Sequence, residues 1–132
     1  MDLIVGRDGI VTLCPTDDAN VGQVYVPSHQ PNYIGRNNRS HDFGSLAFRL
    51  TGVQPNATRC TITVSGVAGT GKIVIRGKSG ETTRSLSDLT TGDHQFDLSK
   101  LEINGQLRLA VDSGNNREIG YFVFKQICLD DG

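Results

Sequence analysis

The run Gly105-Gln-Leu-Arg-Leu-Ala-Val-Asp112, followed by Glu118-Ile-Gly-Tyr-Phe-Val-Phe-Lys-Gln-Ile-Cys-Leu129, decides the fold class. In the first segment Leu107, Leu109 and Val111 alternate with Arg108, Ala110 and Asp112. Successive side chains on a strand point to opposite faces, so this period of two predicts a strand with one buried face. Ser113-Gly-Asn-Asn116 is a polar turn. The second segment holds Tyr121-Phe-Val-Phe124, apolar on both faces, which predicts a strand covered on both sides or, if one face is not covered within the domain, an exposed apolar contact with another subunit. Two such strands bury nothing alone, so the rest of the chain must supply a second layer.

Working outward from this pair, the same alternation recurs. Leu46, Phe48 and Leu50 alternate with Ala47 and Arg49, and Cys60, Ile62 and Val64 with Thr61 and Thr63. Lys72-Ile-Val-Ile-Arg76 is a further strand. Glu81-Thr-Thr-Arg-Ser-Leu86 is polar enough for an edge, where charge and hydroxyls discourage foreign pairing. His94-Gln-Phe-Asp-Leu98 is another short strand. Asp97-Leu-Ser-Lys-Leu-Glu102 predicts a single helical turn capped by Asp97 or Ser99. Glycine-rich turns separate the strands, with Gly66-Val-Ala-Gly-Thr-Gly71 read as a hairpin turn.

Near the N-terminus, Leu3-Ile-Val5 and Ile10-Val-Thr-Leu-Cys14 flank Arg7-Asp-Gly9, and Asp-Gly is a strong hairpin signal. Gln23-Val-Tyr-Val26 is a strand stopped by Pro27. Residues 27–44 show little periodicity and are expected to form one long loop. Such loops in compact domains are commonly functional or docked. In all, about eight to ten short strands at turn-separated spacing predict an all-β, antiparallel β-sandwich of jelly-roll type. The expected core comprises Leu46, Phe48, Leu50, Ile62, Val64, Ile73, Ile75, Phe96, Leu107, Leu109, Val111, Phe122 and Phe124.

The chain has 132 residues, enough for one domain (1–132) with a real core. Glycine supplies 16 of them and Trp none, which suits a turn-rich β-domain. The 13 basic and 14 acidic residues are interspersed and the net charge is −1, so nucleic acid is not an expected partner. No apolar run approaches the ~20 residues of a membrane-spanning helix. The opening Met1-Asp-Leu-Ile-Val-Gly-Arg-Asp8 has neither the basic nor the long apolar region of a signal peptide. Synthesis in a cytosol, or removal of a leader, is expected. The three cysteines, Cys14, Cys60 and Cys128, are widely spaced and lack a CxxC pair. Buried free thiols are the expectation, with a bridge between two of them as the reading for an extracellular protein.

Motifs for chemistry are weak. Gly66-Val-Ala-Gly-Thr-Gly-Lys72 fits GxxxxGK, yet Ile73 stands where a phosphate-binding loop needs Ser or Thr, and a strand follows where a helix must begin. His29, His41 and His94 lack the spacing that would pair two metal ligands. Asp17-Asp18 and the 112–118 turn offer oxygen ligands without the order of an EF-hand loop. No G-x-S-x-G elbow is present. Nothing in the spacing of Asp42, Glu81, Glu102 and Glu118 pairs two carboxylates for glycoside hydrolysis. The expectation is no enzyme, no catalytic residue, no metal and no cofactor.

The run Thr91-Gly-Asp-His-Gln-Phe-Asp-Leu-Ser-Lys-Leu101, then Gly105 to Asp112, resembles the second half of galactose-binding-like jelly rolls. That resemblance implies a jelly roll and carbohydrate binding, with Tyr33 as the stacking platform beside Arg36, Asn37 and Arg39. Type of domain points elsewhere. Small stand-alone sandwiches with free cysteines and no leader include proteins that decorate or cement viral (phage) capsids. The expected function is therefore a non-enzymatic structural protein that binds neighbouring subunits, its own or a capsid protein's, as a homo-oligomer. It would be made in the cytosol and end on the virion surface. A secreted carbohydrate-binding module, with a glycan as its ligand, is the alternative. Expected partner-binding residues are Tyr33, Ile34, Arg36, Arg39 and Phe43, together with the chain ends.

Overall fold

The structure, a computed structural model, describes residues 4–5, 11–13, 33–36, 47–112 and 118–131. These form β1 (Ile4–Val5), β2 (Val11–Leu13), β3 (Tyr33–Arg36), β4 (Ala47–Val53), β5 (Arg59–Gly69), β6 (Lys72–Arg76), β7 (Glu81–Ser85), β8 (Gly92–Asp97), β9 (Gly105–Asp112) and β10 (Gly120–Asp130). Among the described residues the helical content is one 3-10 turn, Leu86–Asp88.

Strands β3 to β10 build two four-stranded antiparallel layers, in the orders β3-β10-β5-β8 and β4-β9-β6-β7. Consecutive strands switch layer at every step except β6–β7, which form a hairpin within one sheet. This is the strand order of a jelly roll. The hairpin β1–β2 adds to the first layer, making it six-stranded, through a parallel pairing of β2 with β10. On one edge of β10, β3 pairs with Gly120–Val123 and β2 with Gln126–Ile127. Below, the two layers are the large and the small sheet.

Period-two alternation explains the core. Leu50, Ile62, Val64, Ile73, Ile75, Phe96, Leu107, Leu109, Phe122 and Phe124 are all buried, and Val111 packs at the margin. Phe48 occupies the register position opposite Leu109, and Leu46 lies outside the described residues. Each fully buried Leu, Ile or Phe contributes about 1.5–3 kcal/mol of transfer free energy. Val53 at the end of β4, Leu86 in the 3-10 turn, and Ala57, Leu89, Leu98, Leu101 and Ile103 in the connections are buried too. No polar side chain is fully buried among the described residues.

Several expectations need correction. Residues 27–44 are not one loop, because Tyr33–Arg36 is a core-facing strand; the flanking parts, like the strand expected at 23–26, lie outside the described residues. The Gly66–Lys72 run is not a hairpin turn. Gly66–Gly69 ends β5 in the large sheet, and β6 begins at Lys72 in the small one, so the chain turns a corner between layers. Gly69 and Gly71 have φ of 82° and 126°, which permit that corner. The stretch 97–102 is not helical. Asp97 Oδ1 accepts the Ser99 amide at 2.8 Å, and Leu101 N–H donates to Leu98 O at 2.9 Å, a turn built on an aspartate.

The cysteines also differ from the expectation of three buried thiols. Cys60 is free and buried, but Cys128 is disulfide-bonded. Cys128 alternates with buried Ile127 and Leu129, so it faces outward and is accessible to a partner sulfur. Cys14, the remaining cysteine of the sequence, lies outside the described residues.

Candidate functional site

The outer face of the large sheet is where apolar side chains meet solvent. Because Phe122 and Phe124 point into the core, Tyr121 and Val123 point out, and both are half-buried. The strand expected to be covered on both sides is thus fully covered on one. Strand β3 sets Tyr33 opposite Val123 and Gly35 opposite Tyr121. The Tyr33 and Tyr121 rings meet edge to face, centroids 5.9 Å apart at 64°, the arrangement the ring quadrupoles favour. On the other side of β10, Ala68 stands opposite Tyr121 and Gly66 opposite Val123. The result is a flat floor of small residues beside an aromatic pair.

Glycine makes the close approach possible. Gly35 has φ 118°, and a Cβ there would run into the Gly120 carbonyl oxygen and stand 2.8 Å from Tyr121 Cα. Two register shifts in the β5–β10 ladder, around Phe124, increase the local twist just beyond the patch. There Ser65 Oγ donates to Val123 O at 3.3 Å.

Of the expected partner-binding residues, the structure brings Tyr33 and Arg36 onto β3. Arg36 stands opposite Gly120, and its Nε is buried without a hydrogen-bond partner. Ile34 is fully buried between the layers, so it packs the core instead of presenting a surface. Arg39 and Phe43 lie outside the described residues. Within Tyr121–Phe124, the run expected to contact another subunit if one face is uncovered, Tyr121 and Val123 are the two that stay half-buried while Phe122 and Phe124 are buried. The signal available was chemical: a phenol hydroxyl in an otherwise apolar run marks the face that can reach water.

Beyond the bulge the same face turns polar. Thr63 Oγ1 donates to Asp93 Oδ1 at 2.6 Å, and Arg59 Nε pairs with Asp130 Oδ1 at 3.0 Å. An open cleft of ≈ 370 Å³ lies by Thr58, Arg59, Gln95, Phe96 and Asp97. Its ionisable groups are already occupied: Arg59 by Asp130, and Asp97 by the Ser99 hydroxyl and amide, which hold its carboxyl below the usual value. His94 Nε2 lies 2.7 Å from Thr90 O at the other end of β8. Among the described residues, no three His, Cys, Asp or Glu side chains come together as a metal site would need. Burial, with the Asp130 carboxylate adding to it, pushes the Cys60 thiol up to about 12, so it carries no thiolate at neutral pH. No protein-family model matches the chain, and neither a curated protein nor a solved structure is significantly similar to it.

Proposed function

We propose that the protein is a non-enzymatic interaction domain that decorates or cements a viral capsid, binding neighbouring protein subunits through the outer face of its large sheet. The observation that supports this is the half-buried set Tyr33, Tyr121 and Val123 on that face, over Ala68 and Gly66. Tyrosines are enriched at the centres of protein interfaces, where a rigid ring buries area at small entropic cost. Light scattering of the purified chain and co-sedimentation with shells from its native source test the reading. Tyr121→Ala with Val123→Lys should release subunits to monomer while far-UV circular dichroism stays unchanged. A wild-type chain that is monomeric at all concentrations and never sediments with a shell would refute it.

A second reading is a secreted carbohydrate-binding module. Two observations favour it: the Tyr33–Tyr121 pair on a jelly roll, and the disulfide at Cys128, since disulfides persist in oxidising compartments. Glycan-array hits that Tyr33→Ala abolishes support this reading, and a blank array removes it.

A further inference from the structure

The outer face of the small sheet carries a straight row of arginines. Arg49 on β4 stands opposite Arg108 on β9, and Arg108 opposite Arg76 on β6. Glu81 on β7 closes the row, and Arg76 Nη2 pairs with Glu81 Oε2 at 2.9 Å. The next residues along these strands, Leu50, Leu107, Leu109 and Ile75, are fully buried, so the arginines lie on the outer face, Arg49 and Arg76 exposed and Arg108 half-buried. Among the described residues neither Arg49 nor Arg108 has a hydrogen bond or ion pair. Like charges directly opposite one another weaken a sheet. This row therefore works against the fold, with a single carboxylate in compensation.

We propose that the row binds an acidic polysaccharide, whose sulfates or carboxylates engage the three guanidinium groups in succession. Adjacent strands lie ~4.8 Å apart, so the row places one cation per strand over ~10 Å. That step is about the advance of one pyranose unit in an extended chain. Each guanidinium presents a planar fork that matches a sulfate or carboxylate with two hydrogen bonds. Thr51 and Gln106, opposite one another, flank the row on one side and are exposed, whereas Ala110 and Val74 on the other side are buried. An acidic protein strand would present same-face charges every ~6.6 Å, out of step with the row. A single-stranded nucleic acid would call for stacking aromatics, and the described residues of this face include none. The site lies on the opposite side of the sandwich from the aromatic face and does not rest on the reading above.

Fluorescence anisotropy with labelled dextran sulfate and polygalacturonate, against neutral dextran and a single-stranded DNA oligomer, tests the proposal. The wild type should bind at least one acidic polysaccharide, weakly enough to be released by salt, and ignore neutral dextran. Arg108→Ser, the centre of the row, should weaken binding roughly tenfold, and Arg49→Ser with Arg108→Ser further still, as expected for lost charge-assisted hydrogen bonds. Lys125→Ser, an equal charge change at an exposed site on β10, should leave binding unchanged. Arg108→Ser should also melt no lower than wild type, which separates lost binding from lost fold. No binding to either polyanion at low salt, equal loss in Lys125→Ser, or DNA bound as tightly as the polysaccharide would each overturn the proposal.

Discussion

Replacing Gly69 by alanine tests the corner on which the large sheet is assembled. Gly69 has φ 82°, and an added Cβ would collide with the Ile119 carbonyl and lie 2.9 Å from Gly120 Cα. The left-handed conformation alone costs a residue with a Cβ about 1–2 kcal/mol. Moving the Ile119 carbonyl also disturbs its bond from Thr70 N–H, now 2.9 Å, a further ~1 kcal/mol. Alanine lowers the entropy of the unfolded chain by up to about 1 kcal/mol, as at any site, but forcing a Cβ against the Ile119 carbonyl costs about 1–3 kcal/mol and outweighs that offset. Gly69→Ala should therefore destabilise by about 3 kcal/mol. Two other glycines calibrate the two contributions. Gly105 has φ 83° with nothing within 4 Å of an added Cβ, so Gly105→Ala isolates backbone strain at about 1 kcal/mol. Gly66 has no positive φ, and its Cβ would touch Val123 at 3.9 Å, an ordinary contact; Gly66→Ala should be neutral or stabilise by about 0.5 kcal/mol. Urea unfolding at constant slope reads all three. With a slope of roughly 1.5 kcal/mol per molar, the Gly69 and Gly105 midpoints should separate by more than about 1 M. Gly69→Ala matching Gly105→Ala would mean that β5 and the start of β10 do not approach as described.

Two further perturbations probe the core and its open edge. Cys60 should resist thiol reagents at neutral pH in the folded protein and react once urea unfolds it; labelling of native protein at the rate of a free thiol would contradict its burial. Its proton is held by the folded state where the unfolded chain releases it, so the Cys60 contribution is complete below pH 9.0 and fades as pH climbs toward about 12. Cys60→Ala should flatten that alkaline loss of stability. Arg84, on edge strand β7, reaches across to the large sheet, with its guanidinium carbon 4.1 Å from the Phe96 ring centroid and Nη2 donating to Gln95 O at 2.7 Å. Arg84→Ala should cost about 2 kcal/mol in the same urea assay. Arg84→Lys should recover only part, because an ammonium cannot stack as a guanidinium does; full recovery by lysine would refute the stacking role.

Much of the fold was legible because a strand has only two faces. Leu107, Leu109, Ile62, Val64, Phe122 and Phe124 declare their burial by alternation alone, whichever strand lies beside them. Strand β3 was not legible. Tyr-Ile-Gly-Arg is too short to show a period, and Ile34 is drawn into the core by pairing with β10, far along the chain. The same holds for the candidate faces. The run Tyr121–Phe124 is apolar on both faces, so alternation could not say which face is uncovered; among the described residues it is the one that carries Tyr121 and Val123. The outward disulfide at Cys128 likewise depends on which side of β10 the cysteine occupies.

Side-chain direction is a local property of extended backbone, so alternation alone assigned most of the strands from β4 onward and the face each one buries, but not β3 or the corner at Gly66–Lys72. Which strands are neighbours followed from the packing of the two layers. The run Gly66–Lys72 has the composition of a hairpin turn, yet it joins two sheets, since each layer can bury its apolar face only against the other. Arg49, Arg76 and Arg108 are ordinary surface residues of three separate strands. They become one row because register, a long-range property fixed by the packing of the buried faces, sets them side by side.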